Sequence, residues 1–451
     1  MQDSNGAEEL KYLTGFGGEF ASEALKDALP KNMNNPKKCP YGLYAEQLSG
    51  TSFTTPRVHN QRTWFYRIMP SCKHGKYKKI EKKYIIADFS KQVATPERFR
   101  WNPFPMPKEE EKIDFIDGMR TVGGAGSAET KTGFAVHVYA ANTSMANKAF
   151  VNSDGDLLIV PQHGDMLITT ECGLLAVKPG EIAVIQRGHK FKVDFPEKGS
   201  RRGYICEVFD GHFVLPDLGP IGANGLANPR DFLHPTARFE DKEGKHTLLQ
   251  KFLGGVFEAE LERSPFDVVA WHGNYVPYKY DMGNFVAVNS VTVDHMDPSI
   301  FTVLTCQTTN PGVAAVDFVI FPPRMAVQKK TFRPPYYHRN CMSEFMGNIK
   351  GQYDAKPEGF QPGGGSLHSI MAGHGPDAGT FDKCSEEKGD PPVQMPPNAL
   401  AFMFESTYFM RVTEWALKEA PLEQDYNKCW AGLKSKFDPK WRKESDAAGK
   451  Q

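Results

Sequence analysis

The chain has 451 residues, and its 54 Lys and Arg side chains balance its 54 Asp and Glu side chains. This length allows two or three domains with a large core, and the zero net charge argues against nucleic acid or an anionic membrane as a partner, so we expect a small-molecule substrate. Eight scattered cysteines without a CxxC pair, a polar start and the lack of any apolar run of about 18 residues favour a cytoplasmic protein with reduced thiols and no membrane span.

Short alternating segments separated by Gly, Asp and Pro predict a mainly β fold with a minority of helices, organised as a two-part β-sandwich or barrel. Seven successive strands are expected in the first part. They are Val136–Ala140, Leu157–Pro161, Met166–Thr170, Leu174–Val177, Ile182–Ile185, Phe191–Phe195 and Gly203–Phe209.

Residues 179–191 have the frame of the second motif of the cupin barrels, with Phe191 in the place of the metal histidine and Gln186 in the place of the proline. We therefore expect this first half to hold no metal. His163 lies before this frame and His189 lies within it. Both are predicted to be surface or hydrogen-bonded histidines.

A second β-rich half begins near residue 281, where residues 282–309 and 313–323 give three apolar strand patterns. The predicted domains are therefore 1–283, with the metal-free half, and 284–451, with the metal site. The tail predicts a C-terminal helix, whose anchoring side chains have helical spacing: Trp415, Leu417, Tyr426, Trp430 and Leu433.

The side chains that could bind a metal are concentrated in this second half. His338, Glu344, His368 and His374 lie within 37 positions. Two imidazoles and one carboxylate on a β scaffold suggest non-haem Fe(II). A straight strand would hold His338 and Glu344 about 20 Å apart, whereas metal–ligand bonds are about 2 Å, so the chain must bend between them. Asn340, a turn-tolerant residue, suits such a bend.

Residues 338–351 also match the first cupin motif, His-x-His-x(3 or 4)-Glu-x(6)-Gly, with Asn340 in the place of its second histidine. A site built here needs a further histidine from downstream. The generic Pro-x-Gly-x-x-His pattern, met at residues 362–368 with one extra residue, slightly favours His368 over His374.

Several unusual strings, in the same order along nearly the whole chain, make it similar to the homogentisate 1,2-dioxygenases. They are YLTGFGGEF (12–20), CPYGLYAEQLSGTSFTTPR (39–57), DHMDPSIFTVLT (294–305), FRPPYYHRNCMSEFMG (332–347), PGGGSLHS (362–369), HGPD (374–377) and FMFES (402–406). The chain departs from the family at Gly18, where Asn is expected, and at Met325, where Trp is expected. Neither is a proposed ligand, so the departures bear on packing or substrate access.

This resemblance implies that His338, Glu344 and His374 bind Fe(2+), which overrules the generic choice of His368. It also implies His295 as the catalytic base and Tyr353 with His374 beside the substrate, and His368 remains a candidate for supporting the site or contacting the substrate. The reaction would convert homogentisate and O₂ to maleylacetoacetate in tyrosine and phenylalanine catabolism. The family further implies a homohexamer, a dimer of trimers.

Two arginines near the metal-binding residues could contact a carboxylate, because a guanidinium matches a carboxylate fork. They are Arg333 and Arg339, and a structural ion pair is an equal alternative for each. Two other classes of protein stay open: another cupin enzyme, such as a gentisate-type dioxygenase or a metal-dependent isomerase, and a non-catalytic storage or binding cupin. Most ring-cleaving cupins use three histidines, so Glu344 weighs against the gentisate type. Iron content and O₂ uptake would separate an enzyme from a binding protein.

Overall fold

The computed structural model describes residues 9–219, 225–288, 292–353, 355–356 and 359–441. Strands account for most of the regular structure. Those of the first part are β1 Tyr12–Thr14, β2 Phe20–Glu23, β3 Tyr44–Ser49, β4 Arg62–Arg67, β5 Lys78–Ile80, β6 Arg98–Trp101, β7 Met119–Ser127, β8 Thr132–Ala141, β9 Lys148–Asn152, β10 Asp156–His163, β11 Met166–Thr170, β12 Gly173–Val177, β13 Glu181–Ile185, β14 Lys190–Asp194, β15 Arg201–Val208, β16 Phe232–Pro235, β17 Glu243–Phe252, β18 Gly255–Arg263, β19 Val268–Gly273 and β20 Tyr278–Asp281.

The later part of the chain adds β21 Thr302–Gln307, β22 Ala314–Phe321, β23 Met325–Ala326, β24 Ser343–Lys350, β25 Gly365–His368, β26 Val393–Gln394, β27 Leu400–Ser406 and β28 Arg411–Val412. The α-helices of the described residues are α1 Ala378–Ser385 and α2 Glu414–Lys418. Short 3-10 helices cover Pro40–Gly42, Pro229–Asp231, Met282–Asn284, Pro298–Phe301 and Tyr426–Trp430. No helix in these described ranges is long and apolar enough to cross a membrane.

The strands form three large sheets and two small ones. The central sheet has the order β1-β16-β20-β13-β10-β15-β8-β7-β28, and a second sheet has the order β12-β11-β14-β9-β17-β18-β5. The third, which we call the site sheet, has the order β21-β22-β27-β24-β25-β6. The small sheets are β2-β19-β4-β3 and β23-β26.

The central sheet buries both of its faces, because successive side chains of a strand point to opposite sides. On strand β10, Leu157 and Ile159 pack into the core shared with the second sheet, whereas Leu158 and Val160 pack into the core shared with the site sheet. The molecule is therefore layered, with the central sheet between the other two. The predicted mainly β fold with few helices is confirmed. Each of the seven predicted strands overlaps one of β8 and β10–β15; the bounds agree to within one residue for β11–β14, whereas β8, β10 and β15 are longer than predicted.

Two strands cross between the parts of the chain. Strand β6 pairs with β25 of the site sheet, and β28 pairs with β7 of the central sheet. The C-terminal helix is present but short, because Pro421 follows closely and cannot continue a helix. Trp415 and Leu417 lie in α2, whereas Tyr426 and Trp430 lie in the separate 3-10 helix.

Candidate metal centre

The chain bends between the two predicted ligands that are closest in sequence. His338 precedes strand β24, and Glu344 is the second residue of that strand. Between them, the side-chain oxygen of Asn340 accepts a hydrogen bond from Met342 N at 2.8 Å, which forms a local Asx turn. Nε2 of His338 then lies 3.6 Å from Oε1 of Glu344, so the predicted bend is present.

His374 reaches the same point through backbone pairing with His338. The His338 N–H donates to His374 O at 2.9 Å, and the His374 N–H donates to His338 O at 3.0 Å. The two ring centroids are 4.2 Å apart. This isolated bridge brings together two imidazoles that no regular strand pairing would place side by side.

Three ligand atoms converge at this place. One atom from each of His338, Glu344 and His374 lies within 4.8 Å of the others, and Nε2 of His374 is 2.8 Å from Oε2 of Glu344. Two imidazole nitrogens and one carboxylate oxygen are the donor set of non-haem Fe(II) sites, so the residues present fit that metal.

Backbone carbonyls hold both imidazoles in one orientation. Nδ1 of His338 donates to Tyr336 O at 2.7 Å, and Nδ1 of His374 donates to Ala372 O at 2.9 Å. With the Nδ1 atoms engaged, each histidine presents Nε2 to the cluster, as metal-binding histidines usually do. Asn340 Nδ2 also donates to Glu344 Oε1 at 2.6 Å.

The surroundings of the Glu344 side chain favour its charged form, which can bind a cation. Burial alone would raise the pKa of Glu344, but the neighbouring imidazoles of His338, His368 and His374 lower that pKa well below its usual range. The side chain is therefore an anion, which is the form that binds a metal.

Glu344 belongs to a row of four polar side chains that runs across one face of the site sheet. In register, His368 faces Glu344, Glu344 faces Glu405, and Glu405 faces Asp317. Burial, with the nearby negative charges of Glu344 and Asp317, raises the pKa of Glu405 to about 8. Sequence reasoning missed Glu405 and Asp317. Each is an acidic residue within an apolar strand, and that signal could have identified them.

His368 lies beside the cluster but outside the three-residue group. Its Nδ1 is 3.6 Å from Oε2 of Glu344, and its ring stacks on that of His374 with centroids 4.1 Å apart. Its Nε2 accepts a hydrogen bond from the Tyr426 hydroxyl at 2.8 Å. His368 is thus hydrogen-bonded to Tyr426 on one side and stacked against His374 of the cluster on the other. Tyr426, which the sequence suggested only as a packing residue, was not predicted at the site.

The cluster lines a cavity of about 560 Å³ that His295 and Tyr353 also line. His295 Nε2 donates to Phe332 O at 2.7 Å, and its ring meets that of Tyr336 at 5.7 Å. The Tyr353 ring packs edge-on against Phe321 at 5.6 Å. The structure therefore places all the predicted site residues around one cavity.

Of the two candidate arginines and the two residues that depart from the family pattern, only the arginines line the cavity. Arg333 lines the cavity but donates to the carbonyls of Gln328 and Pro391, whereas Arg339 is an exposed side chain at its wall. Gly18 and Met325 are not among the residues that line this cavity.

Fold and site together define the class of protein. It is a mainly β protein in which two histidines and one carboxylate, able to hold a metal ion, line a cavity. Family models of the N-terminal and C-terminal parts of homogentisate 1,2-dioxygenase match residues 11–282 and 283–437. The chain belongs to the homogentisate 1,2-dioxygenase family.

Relatives match over almost their whole length. Homogentisate 1,2-dioxygenase of Homo sapiens is 54% identical over 97% of this chain and 99% of its own length, and that of Dictyostelium discoideum is 57% identical over 94% and 98%. Among solved structures, a mutant oxalate decarboxylase of Bacillus subtilis covers 79% of this chain and 89% of its own, with 11% identity and a TM-score of 0.28. The predicted family and the prediction of an enzyme are confirmed by the close relatives.

Proposed function

We propose that this chain is an Fe(II)-dependent dioxygenase that opens the ring of homogentisate with O₂ to give maleylacetoacetate, in tyrosine and phenylalanine catabolism. The observation that carries the proposal is the convergence of His338, Glu344 and His374 in a cavity large enough for a small aromatic acid. Both atoms of O₂ enter the product, and the bond that breaks joins a hydroxylated ring carbon to the carbon bearing the acetate arm.

The three side chains would hold iron on one face, and iron bound in this way supplies open coordination positions for a substrate oxygen and O₂. The protein's own contribution is to position these groups and to exclude competing contacts. Glu344 and the two histidines are oriented before any metal binds, because Asn340 and backbone carbonyls fix their side chains.

His295 is the proposed base that removes the proton of a ring hydroxyl. Its Nε2–H is used by Phe332 O, which leaves Nδ1 as the basic atom. A neutral imidazole is suited to this step, since its unprotonated ring nitrogen can accept a proton from a group within hydrogen-bond reach. Tyr353 and His374 are proposed to border the substrate, and His368 to support or contact it.

We further propose a division into residues 1–283, without a metal, and residues 284–451, with the iron. Apart from β6, every strand of the site sheet comes from the second part. In the first part, Phe191 packs against Phe115 and Phe150 inside the apolar core, so an aromatic cluster fills the place of a ligand.

A cytoplasmic homo-oligomer, hexameric as in the family, is part of the same proposal. All eight cysteines are free thiols, as in proteins of a reducing compartment. Several large apolar side chains are strongly exposed, which supports burial against other subunits. They include Phe53 (87%), Val58 (83%), Phe409 (73%) and Phe437 (83%).

The test is anaerobic loading with Fe(II), followed by O₂ uptake with homogentisate and with gentisate in parallel. We expect uptake of one O₂ per homogentisate, formation of maleylacetoacetate and little reaction with gentisate. Glu344→Ala should lose both iron and uptake, whereas Glu414→Ala, which changes an exposed carboxylate on α2, should keep both. An iron-loaded protein that leaves homogentisate untouched would contradict the proposal.

A further inference from the structure

Lys356, a residue that lines the cavity, carries a buried ammonium group that the reaction described so far does not use. Lys356 lines the cavity and is only 6% exposed. Its Nζ donates to the Tyr426 hydroxyl at 2.8 Å and lies 5.1 Å from the ring centroid of Trp430. Within the part of the chain that the structure describes, no carboxylate lies at ion-pair distance from this nitrogen. A buried ammonium is stabilised by a nearby negative charge, so this nitrogen is suited to bind a carboxylate.

The ammonium lies next to the metal-binding end of the cavity. The same Tyr426 hydroxyl that accepts from Lys356 donates to Nε2 of His368 at 2.8 Å, and the His368 ring stacks on His374. Lys356 is therefore two hydrogen bonds away from the imidazole that contacts Glu344. A small ligand that reaches the cluster with one group can reach the ammonium with another.

The other cations of the cavity are less suited to bind an anion there. Arg333 already uses its guanidinium on backbone carbonyls, with Nε and Nη2 both donating to Gln328 O. Arg339 is exposed, so water and salt weaken its attraction for an anion. A buried ammonium attracts an anion that comes within reach more strongly than an exposed or already engaged guanidinium does.

We propose that Lys356 is the counter-ion of the acetate arm of homogentisate and thus determines the preference for an acid as substrate. This inference rests on the proposed function. The arm is carried by the ring carbon next to a hydroxylated carbon, so a substrate whose hydroxyl faces the cluster keeps its carboxylate close by. That short separation agrees with the short path from Lys356 to His368.

The charges around Lys356 agree with this role. Burial is the main cause that lowers the pKa of Lys356 to about 8; Arg100 acts in the same direction, and Cys429, Glu344 and Asp377 act against it. A carboxylate that binds beside the nitrogen would raise the pKa again and keep the ammonium charged.

The test compares an acid with a neutral analogue of the same shape. Lys356→Met keeps the length of the side chain and removes its charge, and Lys428→Met removes an exposed lysine near Tyr426 as a matched control. For each protein, anaerobic calorimetry of the iron-loaded form gives the Kd, and O₂ uptake gives the KM, for homogentisate and for its methyl ester. Loss of one partner of a buried charge pair predicts a rise of about 30-fold or more in both constants for the acid. The ester constants should change by less than about threefold.

Several results would overturn the assignment. Equal losses for acid and ester in Lys356→Met would show a structural role, and an acid-specific loss in Arg339→Met alone would assign the arm to that arginine. If Lys356→Met does not fold, Lys356→Gln makes the same comparison, and a wild-type protein that binds acid and ester equally would also overturn the assignment. A wild-type protein that neither binds nor oxidises homogentisate would refute the proposed function itself, which is a different outcome.

Discussion

The hydroxyl of Tyr426 joins the C-terminal segment to the site, and its removal gives a sharp prediction. The side chain is 3% exposed, and its oxygen contacts His368 Nε2 and Lys356 Nζ at 2.8 Å each. Tyr426→Phe deletes this one oxygen. The ring should keep its place, because the Arg100 guanidinium lies 4.6 Å from its centroid on one side and the Trp430 ring packs at 5.2 Å.

The expected loss of stability comes from His368 Nε2 and Lys356 Nζ, which both lose the Tyr426 hydroxyl as a hydrogen-bond partner. A buried polar group left without a hydrogen bond costs about 1–3 kcal/mol, so with two such groups the free energy of unfolding should fall by about 2–6 kcal/mol. The entropy of unfolding is roughly 2.1 cal/mol/K per residue, which for a chain of this length converts about 1 kcal/mol into 1 °C. We therefore expect the Tm of Tyr426→Phe to be about 2–6 °C below that of the wild type.

Thermal unfolding of the iron-free proteins, followed by circular dichroism, measures this shift. Tyr84→Phe is the matched control, because its hydroxyl donates to the exposed Glu419 at 2.9 Å, and water can replace that bond. Its Tm should stay within about 1 °C of the wild type. If the Tm of Tyr426→Phe also stays within about 1 °C of the wild type, the hydrogen bonds from this hydroxyl to His368 and Lys356 do not stabilise the protein in solution, and the prediction is refuted.

The other predictions concern the metal, the base and acid stability. His374→Ala should abolish iron binding measured by metal analysis, whereas His368→Ala should keep iron and lose activity by about 10–100-fold; the reverse pattern would contradict the ligand set. Glu344→Ala should lose iron while circular dichroism shows an unchanged fold. His295→Ala should keep iron and slow turnover by roughly 10²–10⁴, with partial recovery at high pH, and an iron-free variant would make it a ligand instead. Burial alone would raise the pKa of Glu207, but its buried cationic partners lower it to about 2, below the ordinary value of 4.5. Its stabilisation of about 3 kcal/mol is complete above pH 4.5 and is lost as the pH falls towards 2, so Glu207→Gln should flatten the acid limb of a denaturation series.

Local patterns were enough to predict the strands. The segments from residue 136 to residue 209 consist of apolar runs ended by Gly, Asp or Pro, and each run is long enough for one strand. Strand β10 shows why such runs are continuous rather than alternating, since Leu157 and Leu158 both enter a core, on opposite faces. The layered arrangement could not be predicted, because it depends on which sheet covers which face.

Sequence spacing slightly favoured His368 over His374, whereas the family resemblance favoured His374. A spacing rule assumes that the ligand follows on a regular strand, and His368 does end strand β25 directly opposite Glu344. His374 comes instead from a loop that pairs with His338 through a single bridge. Such a bridge depends on the path of the loop, which no local pattern encodes. The family resemblance supplied this choice, and the geometry groups His374 with the other two ligands.

The positions of Lys356 and Tyr426 beside the site could not be predicted from the sequence for a similar reason. They are 70 residues apart in sequence, and Tyr426 is 58 residues from His368. Nothing in the sequence around Lys356 distinguishes it from a surface lysine. Its burial becomes visible only when the C-terminal 3-10 helix lies against the cavity.

The register of strand β24 decides which side chains face the candidate metal centre. Phe345 and Ile349 pack into the core, whereas Glu344 and Met346 lie on the other face of the sheet. A shift by one residue would turn Phe345 to the cavity and Glu344 into the core. Gly347 holds the register, because a Cβ there would lie 2.4 Å from the ring of Phe402 on the neighbouring strand. The aromatic packing on the core face thereby fixes the position of the carboxylate on the other face, so the site depends on residues that never contact it.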